Sequence, residues 1–125
     1  MAAGDPKFRV MADVVRLLET NEALSAAVGE RIFPLVAPLK TVGDHIIYQR
    51  DGVELQSSKM QGFAMFKVFF FISVFSEDYF RGLEISEYVY KALVGSHGEV
   101  KIEFHDLTES LIDQKFVQIL KFSIQ

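Results

Sequence analysis

Residues 63–75, F-A-M-F-K-V-F-F-F-I-S-V-F, constrain the fold more than any other part of the chain. Read as a strand, one face carries Phe66, Val68, Phe70, Ile72 and Val74, and the other Met65, Lys67, Phe69, Phe71, Ser73 and Phe75. A strand with one wet face alternates apolar with polar. This one is apolar on both faces, so both faces need cover, and a helix layer covers only one. The chain holds twelve Phe and no Trp. So many phenylalanines fill a core or meet other chains.

The flanking segments define the partners of this strand. Asp5-Pro6 opens a first helix, with Asp as cap and Pro at the first helical position. Val10, Met11, Val14, Leu17 and Leu18 form its apolar stripe. Asn21 caps a short second helix buried through Ala23, Leu24, Ala27 and Val28, and Gly29 stops it. Residues 31–33 read as a brief extended piece ended by Pro34, and 35–44 as a loop. Residues 45–50 read as a strand that reaches the turn signal Asp51-Gly52. Residues 53–55 continue a hairpin or a bent strand, and residues 56–62 are a polar loop. A third helix runs from about Ser76–Asp78 to Val94, buried through Ile85, Val89, Ala92 and Leu93, with Gly82 allowing close approach to the sheet. Residues 95–98 read as a turn, 99–105 as a strand with Val100, Ile102 and Phe104 inward, 107–113 as a connection, and 115–124 as the last strand. The expectation is one α+β domain over residues 1–125. It has about four mostly antiparallel strands, helices on one face, and the order α-α-β-β-α-β-β.

Composition narrows the function. No cysteine is present, which excludes disulfides, thiolate catalysis and cysteine metal sites. The net charge of −4 comes without any basic run, so nothing points to binding of a nucleic-acid backbone. The longest apolar run, residues 68–72, is far too short for a membrane span. The first residues lack the apolar segment of a signal peptide, so the expectation is a soluble protein not exported by that route.

Catalytic readings are weak. His45, His97 and His105 show no metal-ligand spacing and read as solvated residues. A serine paired with His45 or His105 would lack a nucleophile-elbow motif. Asp106/Glu109 and Glu84/Glu87 have the spacing of solvated turns and helix faces. The Gly95–Gly98 turn follows a helix instead of opening one, the wrong order for a phosphate loop. No cofactor or metal is expected. Arg50, at a strand end, is either an intersubunit ion-pair partner or an ordinary edge charge. Phe69, Phe71, Phe75, Phe80 and Tyr88 are candidates for subunit contacts, because uncovered aromatic area of that size invites association. Lys59 and Met60 are candidates for a loop that orders on assembly.

The words L-L-E-T-N-E-A-L-S-A-A-V-G-E-R-I-F-P-L-V-A-P, then I-I-Y-Q-R, then the helix Y-F-R-G-L-E-I-S-E-Y-V-Y-K-A-L, resemble the tail completion proteins of long-tailed phages and prophages, also described as tail terminator or head–tail joining proteins. The resemblance is densest over residues 17–34 and 46–50. It implies a non-enzymatic virion assembly protein that terminates the tail tube and joins tail to head. The implied partners are copies of itself in a ring, generally six-fold, the tail tube protein, and a head-completion or connector protein. Its place would be the host cytoplasm during assembly and then the head–tail junction of the virion. The alternative from another class is a small dimeric ligand-binding or regulatory α+β domain, marked by a concave apolar pocket with a few convergent polar groups.

Overall fold

The computed structural model describes residues 5–58 and 63–125. Helices α1 (Pro6–Glu19) and α2 (Glu22–Val28) come first, then strands β1 (Ile32–Pro34), β2 (His45–Ser58) and β3 (Phe63–Ser76). Helix α3 (Tyr79–Leu93) follows, and then strands β4 (Gly95–His97), β5 (Val100–Ile112) and β6 (Lys115–Ile124).

Each helix starts on a side-chain cap. The Asp5, Asn21 and Asp78 side chains accept from the backbone N–H groups of Lys7, Leu24 and Arg81 at 2.9, 3.0 and 3.0 Å. These bonds satisfy donors that a helix start otherwise leaves open. Arg50 holds α1 from the sheet side. Its guanidinium donates to the Lys7 and Phe8 carbonyls at 2.6 and 2.7 Å.

The strands form a six-stranded mixed sheet in the order β1-β2-β3-β6-β5-β4, curled into a half-barrel. The expected sheet of about four mostly antiparallel strands is therefore corrected. β1 pairs parallel with β2 through Ile32–Pro34, while every other neighbour is antiparallel. The two additional strands are three residues each. Such short pieces carry no readable period, and their place is set by the neighbours they pair with. Gly95–His97 reads locally as a turn and instead bonds Val100–Ile102 as an edge strand.

A second correction concerns β5. Its pairing with β6 continues to Ile112 instead of stopping at His105, after a bulge between Phe104 and Asp106. The bulge shifts the alternation by one residue. Beyond it, Leu107, Glu109 and Leu111 stand opposite Leu120, Gln118 and Phe116, on the helix side of the sheet. Both faces of this outer stretch are exposed, so its sequence has no apolar period to announce a strand.

The core lies between the helices and one face of the sheet. Val68, Phe70, Ile72 and Val74 are fully buried there, against Val14 and Leu18 of α1, Leu24 and Val28 of α2, and Ile85, Val89 and Leu93 of α3. Phe122, Leu120 and Ile124 of β6 complete it. Phe70 and Phe122 stack at 5.4 Å between centroids. Gly82 faces this layer, but a methyl group there would sit 3.5 Å from Ser76 Cβ and 3.8 Å from Gln118 Cγ, ordinary contact distances. Gln118 is fully buried beside it, and neither its amide nitrogen nor its oxygen has a hydrogen-bond partner among the described residues.

Candidate assembly surface

Among the described residues, no helix lies over the other face of β3. Phe69, Phe71 and Phe75 are half-buried there, the alternate residues being those of the core. Polar groups from neighbouring strands thread between the rings. Lys121 Nζ lies 5.3 Å from the centroid of Phe69 and 5.8 Å from that of Phe71, within the range of cation–π attraction. It also lies 3.4 Å from the Asp51 carboxylate. His105 stands 5.7 Å from Phe69, ring to ring. The face is an aromatic row with lysines and imidazoles along it, wetter than a core and greasier than a normal solvated sheet.

At the end of this row, His45 stacks on Phe75 at 4.6 Å and 10° and tilts against Phe33 at 6.2 Å. The expectation of three solvated histidines is corrected here: His45 is buried. Burial pushes its pKa below the usual histidine value, with Lys115 and Arg31 adding to the drop. Its 3.3 Å contact with the Gly43 carbonyl and the Asp44 carboxylate act the other way. Beside it lies an open recess of about 410 Å³, lined by Ile47, Phe75, Ile112, Asp113, Lys115 and the loop residues Val36–Thr41. The loop exposes Leu39 at 96% and Val42 at 82%.

The expected contact residues do not form one site. Phe69, Phe71 and Phe75 share the helix-free face. Phe80, 77% exposed, projects from the first turn of α3. Tyr88 is half-buried and packs against the core. Arg50 lies at the start of α1 with both terminal nitrogens bonded to backbone carbonyls. Lys59 and Met60 lie outside the described residues. Exposed apolar residues that the sequence reading passed over are Phe8, Leu39, Val42, Leu55 and Leu111. Phe8 carried a signal, since it falls off the α1 stripe of Val10, Val14 and Leu18. Leu39 and Val42 sit in a loop without periodicity, where apolar residues are unexpected.

The catalytic candidates find structural partners. Glu109 accepts from the Tyr79 hydroxyl at 2.6 Å, which raises the tyrosine's pKa. Glu84 is paired with Arg81. His97 Nε2–H donates to the Leu93 carbonyl at 2.7 Å and ties β4 to the end of α3. His105 Nε2 and Ser123 Oγ are hydrogen-bonded at 2.7 Å. This is the one serine–histidine contact among the described residues. Ser123 is only 2% exposed, and no carboxylate among the described residues holds the second His105 nitrogen, so the pair lacks the access and orientation that nucleophilic catalysis requires. No group of three or more His, Asp or Glu among the described residues could hold a metal. No described helix is long and apolar enough to cross a membrane.

Comparison with known proteins places the fold. No family model and no curated protein matches the chain. Among solved structures, a chain of the "Virion of native gene transfer agent (GTA) particle" superposes with a TM-score of 0.68. It is 18% identical, and the match covers 89% of this chain and 90% of that one. The two share a fold along nearly their whole lengths.

Proposed function

We propose that this protein is a structural component of a phage-like virion, and within that class a tail terminator that joins tail to head. The observation that carries the reading is the fold shared with a chain of the gene transfer agent particle over nine-tenths of both chains. The half-covered aromatic row of Phe69, Phe71 and Phe75 supports it, since apolar sheet surface left outside the core is the raw material of assembly contacts. In this role the protein works without chemistry of its own. It binds the last ring of the tail tube, stops its growth, and offers the connector of the head a docking surface. The ring is generally six-fold in the family it resembles, and a ring of copies matching the tube is the arrangement proposed here.

Deleting the gene from the particle that encodes it tests the reading. The expected result is full heads and separate tails, with joining restored by the purified protein. Intact, infectious particles without it would reject the reading.

A ligand-binding role has one observation in its favour, the 410 Å³ recess beside His45. One wall of it is a loop carrying the exposed Val36 and Leu39, which suits a protein contact better than a small-molecule cage.

A further inference from the structure

The recess of about 410 Å³ lies at one end of the sheet, where His45 begins β2, Phe75 nears the end of β3 and Lys115 begins β6. The loop between β1 and β2 forms one wall. The turn between β5 and β6 contributes Ile112, Asp113 and Lys115. The loop wall is tied down. The Leu35 N–H donates to the Tyr48 carbonyl at 3.0 Å, and Arg31 Nε donates to the Asp44 carbonyl at 2.8 Å. Between these ends the Thr41 hydroxyl donates to the Pro38 carbonyl at 2.6 Å.

Backbone in the left-handed region gathers around this recess. Among the described residues, the non-glycine positions with positive φ are Leu35, Lys40, Asp113 and Gln114, at 63°, 66°, 50° and 65°. Lys40 and Asp113 line the recess, and Leu35 and Gln114 are next in sequence to residues that do. A two-residue hairpin turn accounts for Asp113 and Gln114. Leu35 and Lys40 have no such local reason, and strain of this kind clusters where a surface is shaped to grip something.

The lining joins an apolar floor to free cations. Ile47, Phe75 and Ile112 supply the floor, and Val36 and Leu39 on the loop are 72% and 96% exposed. Among the described residues, Lys40 and Lys115 have no ion-pair partner, whereas Lys7, Lys91, Lys101 and Lys121 each have one. Asp113 is the one carboxylate among the described lining residues. Two free lysines against one carboxylate, in a chain of net charge −4, favour a ligand that is both apolar and negative.

We propose that this recess seats a short acidic and apolar segment of a partner protein, its apolar side chains on Ile47, Phe75 and Ile112 and its carboxylate paired with Lys40 and Lys115. A fatty acid shares that chemistry. A small molecule, however, would stay half in water in so open a recess, whereas a polypeptide segment also covers Val36 and Leu39. The partner is a different protein, and the proposal holds whether or not the chain terminates a tail.

The probe is a blocked peptide, Glu-Leu-Phe-Glu-Leu, titrated into the full-length protein and followed by backbone amide shifts. Binding should saturate with a Kd below about 1 mM, shift Ile47, Phe75, Ile112 and Lys115, and weaken with added salt. The same peptide with glutamine in place of glutamate should bind about fivefold more weakly. Lys40→Gln/Lys115→Gln should lose the same factor for the acidic peptide and nothing for the glutamine peptide, the signature of a direct charge pairing. Ile112→Ser, at a position 44% exposed, should weaken both peptides, and Lys91→Gln on α3 should change neither. Circular dichroism checks that each variant folds. No binding at that concentration, shifts centred on Phe69 and Phe71 instead, or equal losses for both peptides in the lysine variant would overturn the proposal. So would octanoate binding as tightly as the peptide, which would make this a fatty-acid site. So would the same shifts arising from protein concentration alone, which would assign the recess to a second copy.

Discussion

Replacing Gln118 with methionine should stabilise this protein. Gln118 is fully buried between α3 and the sheet, and both polar atoms of its amide lack a partner among the described residues. A buried polar group without a partner loses its hydration for nothing in return, a cost of about 1–3 kcal/mol. Methionine has nearly the same length and volume, so it removes the amide without opening a cavity. Allowing for imperfect repacking, the expected gain is about 2 kcal/mol. Unfolding entropy near the midpoint is about 2.1 cal/mol/K per residue, so a chain of 125 residues should gain roughly 8 °C in melting temperature. Urea unfolding followed by circular dichroism gives the free energy directly, and the midpoint should rise with the slope unchanged. Gln118→Ala is the contrasting variant. It removes the same amide but leaves a void, so it should fall below Gln118→Met by the cavity cost, on the order of 2 kcal/mol. A Gln118→Met protein less stable than the parent by 1 kcal/mol or more would refute the reasoning, because it would mean that the amide is satisfied.

Three further outcomes follow from the same coordinates. Arg50→Met should cost about 1–3 kcal/mol, because two charge-assisted bonds to the Lys7 and Phe8 carbonyls are lost, and hydrogen exchange should accelerate in the first turns of α1. Asn21→Ala should cost about 1 kcal/mol in chemical denaturation by removing the α2 cap. For His45, burial lowers the folded-state pKa below the unfolded value of about 6.5, so the unfolded chain takes up its proton first. The associated stability is present above that value, declines as the pH falls below it, and levels off once the pH passes the folded-state pKa. Denaturation midpoints measured from pH 7.5 to 4.5 should show that decline in the parent, and His45→Phe, which keeps the stack on Phe75, should flatten it.

The double-sided apolar run of residues 63–75 identified the central strand and the two fates of its faces. The even-numbered residues from Val68 to Val74 are sealed under helices, while Phe69, Phe71 and Phe75 are only half covered. The caps of α1 and α2 were legible because each rests on a side chain and a backbone group within three residues of one another. His45 was misread because its burial comes from Phe33 and Phe75, which are distant in sequence or held by another strand. The serine–histidine contact between His105 and Ser123 was equally hidden, since the β5–β6 register makes it.

Local order decided what lies within a few residues: helix starts, apolar stripes and the pleat of β3, all governed by side-chain periodicity and short-range hydrogen bonds. Tertiary structure decided the strand count, the parallel seat of β1, and the bulge that turns Leu107 and Leu111 to the helix side. The reason is that strand partners are chosen across long stretches of chain. A three-residue edge strand has no signature in its own residues and exists only in relation to the neighbour it pairs with.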